Sequence, residues 1–205
     1  MRAASRWISV LLHPILMPVL VLAMIMWADP HIAYFMPGAQ TSILLSMVAI
    51  LTVAFPLVSM LLLLRSKVIT SLELPSRAER IVPFIMMMIY YAMTYFVLRS
   101  THLHPIALSV FLGILISMAI TIMVTLKWRI SIHMVGIGGA IGAASGITAL
   151  HGLPLLPLIA FLIVLAGLVG TARLIAGGHS HAQIYSGALL GWLVIYSCVV
   201  LEVVI

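Results

Sequence analysis

Three short stretches of the chain carry arginine, lysine and histidine between otherwise apolar segments. They are LPSRAERIVP at 74–83, KWRISIH at 127–133 and ARLIAGGHSHAQ at 172–183. Guanidinium groups pair with phosphate oxygens through parallel hydrogen bonds, and an imidazole can attack phosphorus or transfer a proton. If the three stretches meet, these residue types predict a phosphate-binding site with nucleophilic and acid–base chemistry.

The individual candidates follow from the spacing within each stretch. Arg77 and Arg80 are three residues apart, so they share a face of a helix. Glu79 is predicted either to pair with one of them or to be a solvated loop charge, and Glu73 is the other acid on this side. The candidate phosphate ligands are Arg77, Arg80, Lys127, Arg129 and Ser131, and the candidate imidazoles for attack or proton transfer are His133, His179 and His181.

The elements that must position these residues are membrane helices. Of the 205 residues, 64% are hydrophobic and 7% are charged, whereas soluble domains carry roughly 25% charged residues. A helix needs about 20 mainly apolar residues to cross a bilayer. The sequence predicts an all-α, polytopic transmembrane helix bundle of six to seven spans, with residues 1–205 as a single membrane domain. The candidate spans are 7–28, 42–64, 82–98, 106–126, 133–150, 154–174 and 182–203.

Alternation of these spans puts the three polar stretches on one side of the membrane. That side carries nine of the ten lysines and arginines, and only Arg99 lies on the other. The positive-inside rule predicts that it is cytoplasmic, which suits a bacterial inner membrane. The net charge is +6, but no polar basic domain carries it. The lipid bilayer is therefore the expected partner, and nucleic acid is not.

The eight histidines raise the question of a metal ion. A zinc site needs three or four convergent ligands, but His179 and His181 are two residues apart and point apart on a helix. No metal or other cofactor is therefore expected. Four further histidines lie on the opposite side and are predicted to be interfacial: His31, His102, His104 and His151.

Small residues in 136–146 are predicted to serve helix packing. Gly138, Gly142 and Gly146 recur every four residues within an apolar segment, which places them on one helix face. No strand precedes them, so they do not form a dinucleotide-binding loop.

The first span is predicted to kink at Pro14 and Pro18. Cys198 lies in an apolar run and is predicted to be a buried hydrophobic residue.

The order of the three stretches resembles the type 2 phosphatidic acid phosphatase family of membrane lipid phosphatases, over about residues 65–192. That family's third motif is Ser-Arg, five residues, His, three residues, Asp; Arg173, His179 and Gln183 have this spacing. The second, Pro-Ser-Gly-His, corresponds to RISIH at 129–133, without the proline and glycine. The first, Lys, six residues, Arg-Pro, has only the looser RAERIVP. Glutamine at 183 is similar to the dolichyl diphosphatase branch.

The resemblance implies a metal-independent lipid phosphatase or diphosphatase. His179 would attack phosphorus to give a phosphohistidine, and His133 would protonate the leaving group and then activate water. Arg173, Ser131 and an arginine from 77–80 would stabilise the phosphoryl oxygens. Gln183, four residues after His179, would accept its Nδ1 proton. Phosphatidic acid, phosphatidylglycerophosphate and polyprenyl diphosphate are the expected lipid phosphate substrates.

Two other functions stay open at this point. A catalytically inactive relative that binds or transports lipid phosphates would explain the incomplete first motif and Gln183. A small transporter or channel subunit is less favoured, because transporters carry charges near mid-membrane and these charges collect at one interface. The sequence also leaves open whether the chain forms a homo-oligomer.

Overall fold

A computed structural model describes residues 2–34, 38–72, 74, 76–101 and 103–204, without the side chains of residues 2–6. The predictions for Glu73 and His102, and those for the side chains of Arg2 and Arg6, lie outside the described residues. Within them, seven helices are long and apolar enough to cross a membrane, which confirms the all-α polytopic bundle. These segments are Trp7–Ala28, Gly38–Arg65, Arg77–Arg99, Pro105–Thr125, Ile132–His151, Leu156–Ile175 and His181–Val200.

The first span is broken where His13 precedes Pro14. Helix α1 (Arg2–Leu11) ends there, a 3₁₀ turn follows at Pro14–Leu16, and α2 runs over Met17–Ala28. His13 is extended, with φ −68° and ψ 137°, as the residue before a proline prefers. Pro18 lies in the first turn of α2, where proline is tolerated. The predicted kink is therefore at Pro14 and not at Pro18. A short helix, α3 (Pro30–Tyr34), follows.

The second span contains a wider helical turn. Helix α4 (Gly38–Ala49) passes through a π turn at Ile50–Ala54 into α5 (Phe55–Arg65). Pro56 lacks the N–H that would bond to the Thr52 carbonyl in a regular α-helix, and a π turn accommodates such an interruption. The buried hydroxyl of Thr52 donates to the Val48 carbonyl at 2.9 Å.

Five longer helices complete the bundle: α6 (Arg77–Arg99), α7 (Pro105–Thr125), α8 (Ile132–His151), α9 (Leu156–Ile175) and α10 (His181–Val200). Helix α8 packs most extensively against α10. The buried core includes Phe111, Ile137, Ile147 and Val199. The links before α6, α8 and α10 lie at one end of the bundle, where contacts join the three polar stretches.

Small residues bring α8 and α10 close together. A Cβ added at Gly142 would lie 2.6 Å from the Trp192 carbonyl oxygen. Added Cβ atoms at Gly138 and Gly191 would overlap the backbone of Ala188 and Val135. Because no side chain fits at these crossings, the prediction that the glycine run serves helix packing is confirmed. We call these contacts the glycine seam.

Candidate functional site

The three polar stretches lead into the first turns of α6, α8 and α10, and the third stretch also includes Arg173 in the last turn of α9. The Ser76 hydroxyl accepts from the Glu79 N–H at the start of α6, at 3.2 Å. At the start of α10, the Ser180 hydroxyl accepts from the Gln183 N–H at 3.4 Å, and the Gln183 side-chain oxygen accepts from the Ser180 N–H at 3.1 Å. Ser131 precedes α8. Helix amino termini carry partial positive charge and favour anions.

Direct contacts join the three stretches. The Arg77 Nη1 donates to the Lys127 carbonyl at 2.7 Å, which links the first stretch to the second. The His179 Nδ1 lies 3.2 Å from the Arg129 carbonyl oxygen, which links the second to the third. Segments separated by 50 residues in the sequence therefore form one polar cluster, which we call the cationic cluster.

Exposure falls from the rim of the cationic cluster to its interior. Arg77, Lys127 and Arg129 are exposed, whereas Arg173, His179 and Gln183 are partly buried. Arg80, Ser131 and His133 are buried, at 6%, 0% and 8% exposure. The exposed residues therefore form the rim of the cluster, and the buried residues form its floor.

Two floor residues have different hydrogen-bonding states. The Arg80 Nε donates to the Leu74 carbonyl at 2.9 Å, which leaves its other guanidinium N–H groups to serve an anion. The Ser131 hydroxyl is fully buried and has no hydrogen-bond partner among the described residues. A buried hydroxyl without a partner is costly, so a phosphate oxygen is a suitable acceptor for it.

The tautomer of His179 follows from its backbone contact. A carbonyl oxygen only accepts, so Nδ1 carries the proton that is donated to Arg129, and Nε2 keeps its lone pair. Burial, followed by the charges of Arg173 and Arg80, lowers the pKa of His179 to about 4, while hydrogen bonds to Arg129 and Gln183 act in the opposite direction. The imidazole is therefore neutral at pH 7, as a nucleophile requires.

The sequence predicts Gln183 as the acceptor of the His179 Nδ1 proton, whereas the structure places the Arg129 carbonyl at that nitrogen. The side-chain oxygen of Gln183 accepts from the Ser180 N–H. The hydrogen bond between Gln183 and His179 acts to raise the pKa of that imidazole. The Arg129 backbone carbonyl accepts the proton of His179 Nδ1. The sequence could not indicate this acceptor, because every residue has a backbone carbonyl.

His133 lies beside His13, which is not among the residues predicted for the site. The His133 Nε2 is 3.2 Å from the Ser9 carbonyl oxygen, and its ring packs edge-on against His13 with centroids 5.3 Å apart. The His13 Nδ1 accepts from the Ile15 N–H at 3.3 Å. Arg173 interacts electrostatically with both imidazoles. An ionisable residue inside an apolar span indicates function. His13 lies within the first span, so the sequence contained a signal for it.

Glu79 does not pair with an arginine in the described part of the chain. Its carboxylate accepts from the Thr70 N–H and hydroxyl, at 2.9 Å and 2.8 Å, and from the Ser76 hydroxyl at 2.9 Å. The predicted pairing with Arg77 or Arg80 is therefore wrong. Glu79 instead ties the link that precedes α6 to the start of that helix.

A recessed surface lies elsewhere in the bundle. A groove of about 380 Å³ is lined by Ser59, Leu62, Leu63, Arg65, Ser66 and Met86, between α5 and α6. None of the candidate site residues lines it. Comparison of the chain with protein-family models, with curated proteins and with solved structures finds no match.

Proposed function

We propose that this protein is an integral membrane lipid phosphatase or diphosphatase that acts through a phosphohistidine, without a metal ion in the reaction. The observation that carries the proposal is the state of His179. Its Nδ1 donates to a backbone carbonyl, its pKa is about 4, and Arg173 and Arg80 are the cations that act on it. A neutral, oriented imidazole beside guanidinium groups is suited to attack on phosphorus.

In the proposed first step, the His179 Nε2 lone pair forms a bond to phosphorus. The bond from phosphorus to the lipid oxygen, or to the inner phosphate of a diphosphate, breaks, and that oxygen takes the electron pair. His133 enters this step as an imidazolium that takes its second proton from solvent when the phosphate dianion binds. Its Nε2–H donates to the Ser9 carbonyl, and its Nδ1–H is transferred to the leaving oxygen.

In the second step, water attacks the phosphohistidine and the bond from phosphorus to nitrogen breaks. His133 takes a proton from the water, which returns both imidazoles to their starting states and releases inorganic phosphate. Guanidinium donors from Arg173 and Arg80 stabilise the negative charge on the phosphoryl oxygens in both steps. The Ser131 hydroxyl, which has no partner among the described residues, donates a further hydrogen bond.

A lipid substrate is favoured by the surroundings of the cationic cluster. Apolar residues are exposed along the helices, among them Ile85, Ile89 and Leu189, as expected for surfaces in contact with acyl chains. The headgroup phosphate would reach the cluster while the tail stays in the bilayer. Exposed Arg77, Lys127 and Arg129 would attract the anionic headgroup at the rim.

Release of inorganic phosphate by the detergent-purified protein tests the proposal. Phosphatidic acid, phosphatidylglycerophosphate and polyprenyl diphosphate are supplied in mixed micelles with EDTA. We expect His179→Ala to abolish release, and the exposed neighbour substitution His181→Ala to keep most of it as the matched control. Trapping the phosphorylated imidazole by acid-free denaturation and mass spectrometry identifies the residue that carries the phosphoryl group.

Three outcomes would count against the enzyme. Release that persists in His179→Ala would contradict the nucleophile, and release that EDTA abolishes without unfolding the protein would contradict the metal-independent route. Saturable binding of the lipids without any turnover would instead support a non-catalytic protein that binds or transports lipid phosphates.

A further inference from the structure

A second polar cluster lies at the opposite end of the bundle. Asp29 follows α2, His31 belongs to α3, and His151 is the last residue of α8. The Asp29 side chain is completely buried. The His31 Nδ1 lies 3.1 Å from Asp29 Oδ1, and the His151 Nδ1 forms a hydrogen bond to Asp29 Oδ2. Both carboxylate oxygens therefore face an imidazole nitrogen.

Helix capping explains only part of this arrangement. Asp29 Oδ1 accepts from the His31 backbone N–H at 2.9 Å, at the start of α3, where Pro30 is the first residue. Asp before a helix that begins with proline is a common cap. Capping requires neither the His31 side chain nor His151, which is 122 residues away in the sequence. Two imidazoles on one buried carboxylate need a further explanation.

The negative charge of the buried Asp29 carboxylate explains why two imidazoles would gather around it. An ionised carboxylate removed from water is costly unless a positive charge lies beside it. Imidazole is the side chain that most often binds transition metals in its neutral form. Coordination of one cation by the carboxylate and both Nδ1 atoms would balance the charge and use all three convergent atoms.

We propose that Asp29, His31 and His151 bind a divalent transition-metal ion of the Zn²⁺ type. Their ligand atoms all lie within 4.8 Å of one another. Bonds of about 2.0–2.1 Å in a tetrahedral site place ligand atoms about 3.3 Å apart, close to the 3.1 Å between His31 Nδ1 and Asp29 Oδ1. Two imidazoles and one carboxylate suit zinc or iron(II) better than Mg²⁺ or Ca²⁺, which prefer oxygen ligands.

The surroundings define access to the proposed metal site. The His31 side chain is 68% exposed, so an ion can reach the ligands from solvent. The His104 ring packs edge-on against His151 with centroids 6.1 Å apart, and its Nδ1 accepts from the Ile106 N–H at 3.3 Å. Three protein ligands leave a fourth position for water. The ion would fasten the link between α2 and α3 to the end of α8, away from the cationic cluster.

Metal binding by the untagged protein tests this proposal without any activity measurement. The protein is purified in detergent, stripped with EDTA and titrated with Zn²⁺ by calorimetry, with Co²⁺ as a spectroscopic probe. We expect one ion per chain and tetrahedral Co²⁺ absorption. His151→Ala and Asp29→Asn each remove a ligand, so affinity should fall at least about 100-fold, more than the effect of changing outer-shell partners.

Variants outside the site separate the two clusters. His179→Ala and His181→Ala should bind Zn²⁺ as the unchanged protein does. The exposed His31→Ala keeps the measurement decisive if the buried Asp29→Asn does not fold. Absence of stoichiometric Zn²⁺ binding, unchanged affinity in His31→Ala, or an equal loss in His181→Ala would overturn the metal site. None of these results depends on phosphatase activity.

Discussion

Protonation of His179 is the most direct test of how the cationic cluster controls its chemistry. Burial and the cations Arg173 and Arg80 hold its pKa at about 4, below the usual value of about 6.5. At pH 5.5, a pKa of 4 leaves about 97% of the imidazole neutral, whereas a pKa of 6.5 would leave about 9%. The expected difference in the reactive fraction is therefore about tenfold.

Nitrogen NMR of histidine-labelled protein in detergent micelles measures this pKa directly. The His179 resonances are assigned by their loss in His179→Gln and are followed from pH 8 to pH 3.5. We expect a midpoint near pH 4, and a higher midpoint in Arg173→Gln because one cationic neighbour is removed. If the protein is the proposed enzyme, the acid limb of kcat/KM that belongs to His179 should lie at the same low pH.

Two results would refute the reasoning. A midpoint near 6.5 in the unchanged protein would show that neither burial nor the arginines act on His179 as described. A low midpoint that does not move in Arg173→Gln would leave burial and Arg80 as the causes of the shift and remove Arg173 from the electrostatics. The near-ultraviolet circular dichroism of both variants serves as the control for folding.

Three further predictions concern packing, the link before α6 and orientation. Gly142→Ala should destabilise the protein by about 1–3 kcal/mol through overpacking. Gly167→Ala is the control, because an added Cβ there meets nothing within 4 Å. Equal effects of the two substitutions on thermal denaturation would contradict the glycine seam. Glu79→Ala should speed hydrogen exchange of the Thr70 amide, because that amide loses the carboxylate to which it donates; unchanged exchange would argue against the anchor. A reporter fused to the carboxyl terminus should be periplasmic if the cationic cluster faces the cytoplasm, and a cytoplasmic reporter would reverse that orientation.

The spans were predictable because their signal is local. Apolar runs punctuated by charge, proline and glycine gave 7–28 for the first span, and the structure has Trp7–Ala28. Alternation of seven spans then put the three polar stretches on one side, and the structure brings them into contact. Both inferences used composition and order along the chain, which a single sequence contains.

The missing parts depend on contacts between distant residues. The contact of His133 with Ser9 spans 124 residues and involves a backbone carbonyl, which has no side-chain signature. The pairing of Asp29 with His151 spans 122 residues, and the local sequence around either residue does not indicate it. The orientation of His179 by Arg129 was hidden for the same reason, because the acceptor belongs to the main chain.

The glycine seam makes the cationic cluster sensitive to chain length. It fixes α8 against α10 just beyond Ser131 and Gln183, whose backbones are joined by a hydrogen bond from the Ser131 N–H to the Gln183 carbonyl at 3.3 Å. One residue inserted between Val135 and Gly138 would turn the start of α8 by about 100° relative to the seam, and His133 would leave its position. Relatives of this protein should therefore keep the length of 131–142 unchanged.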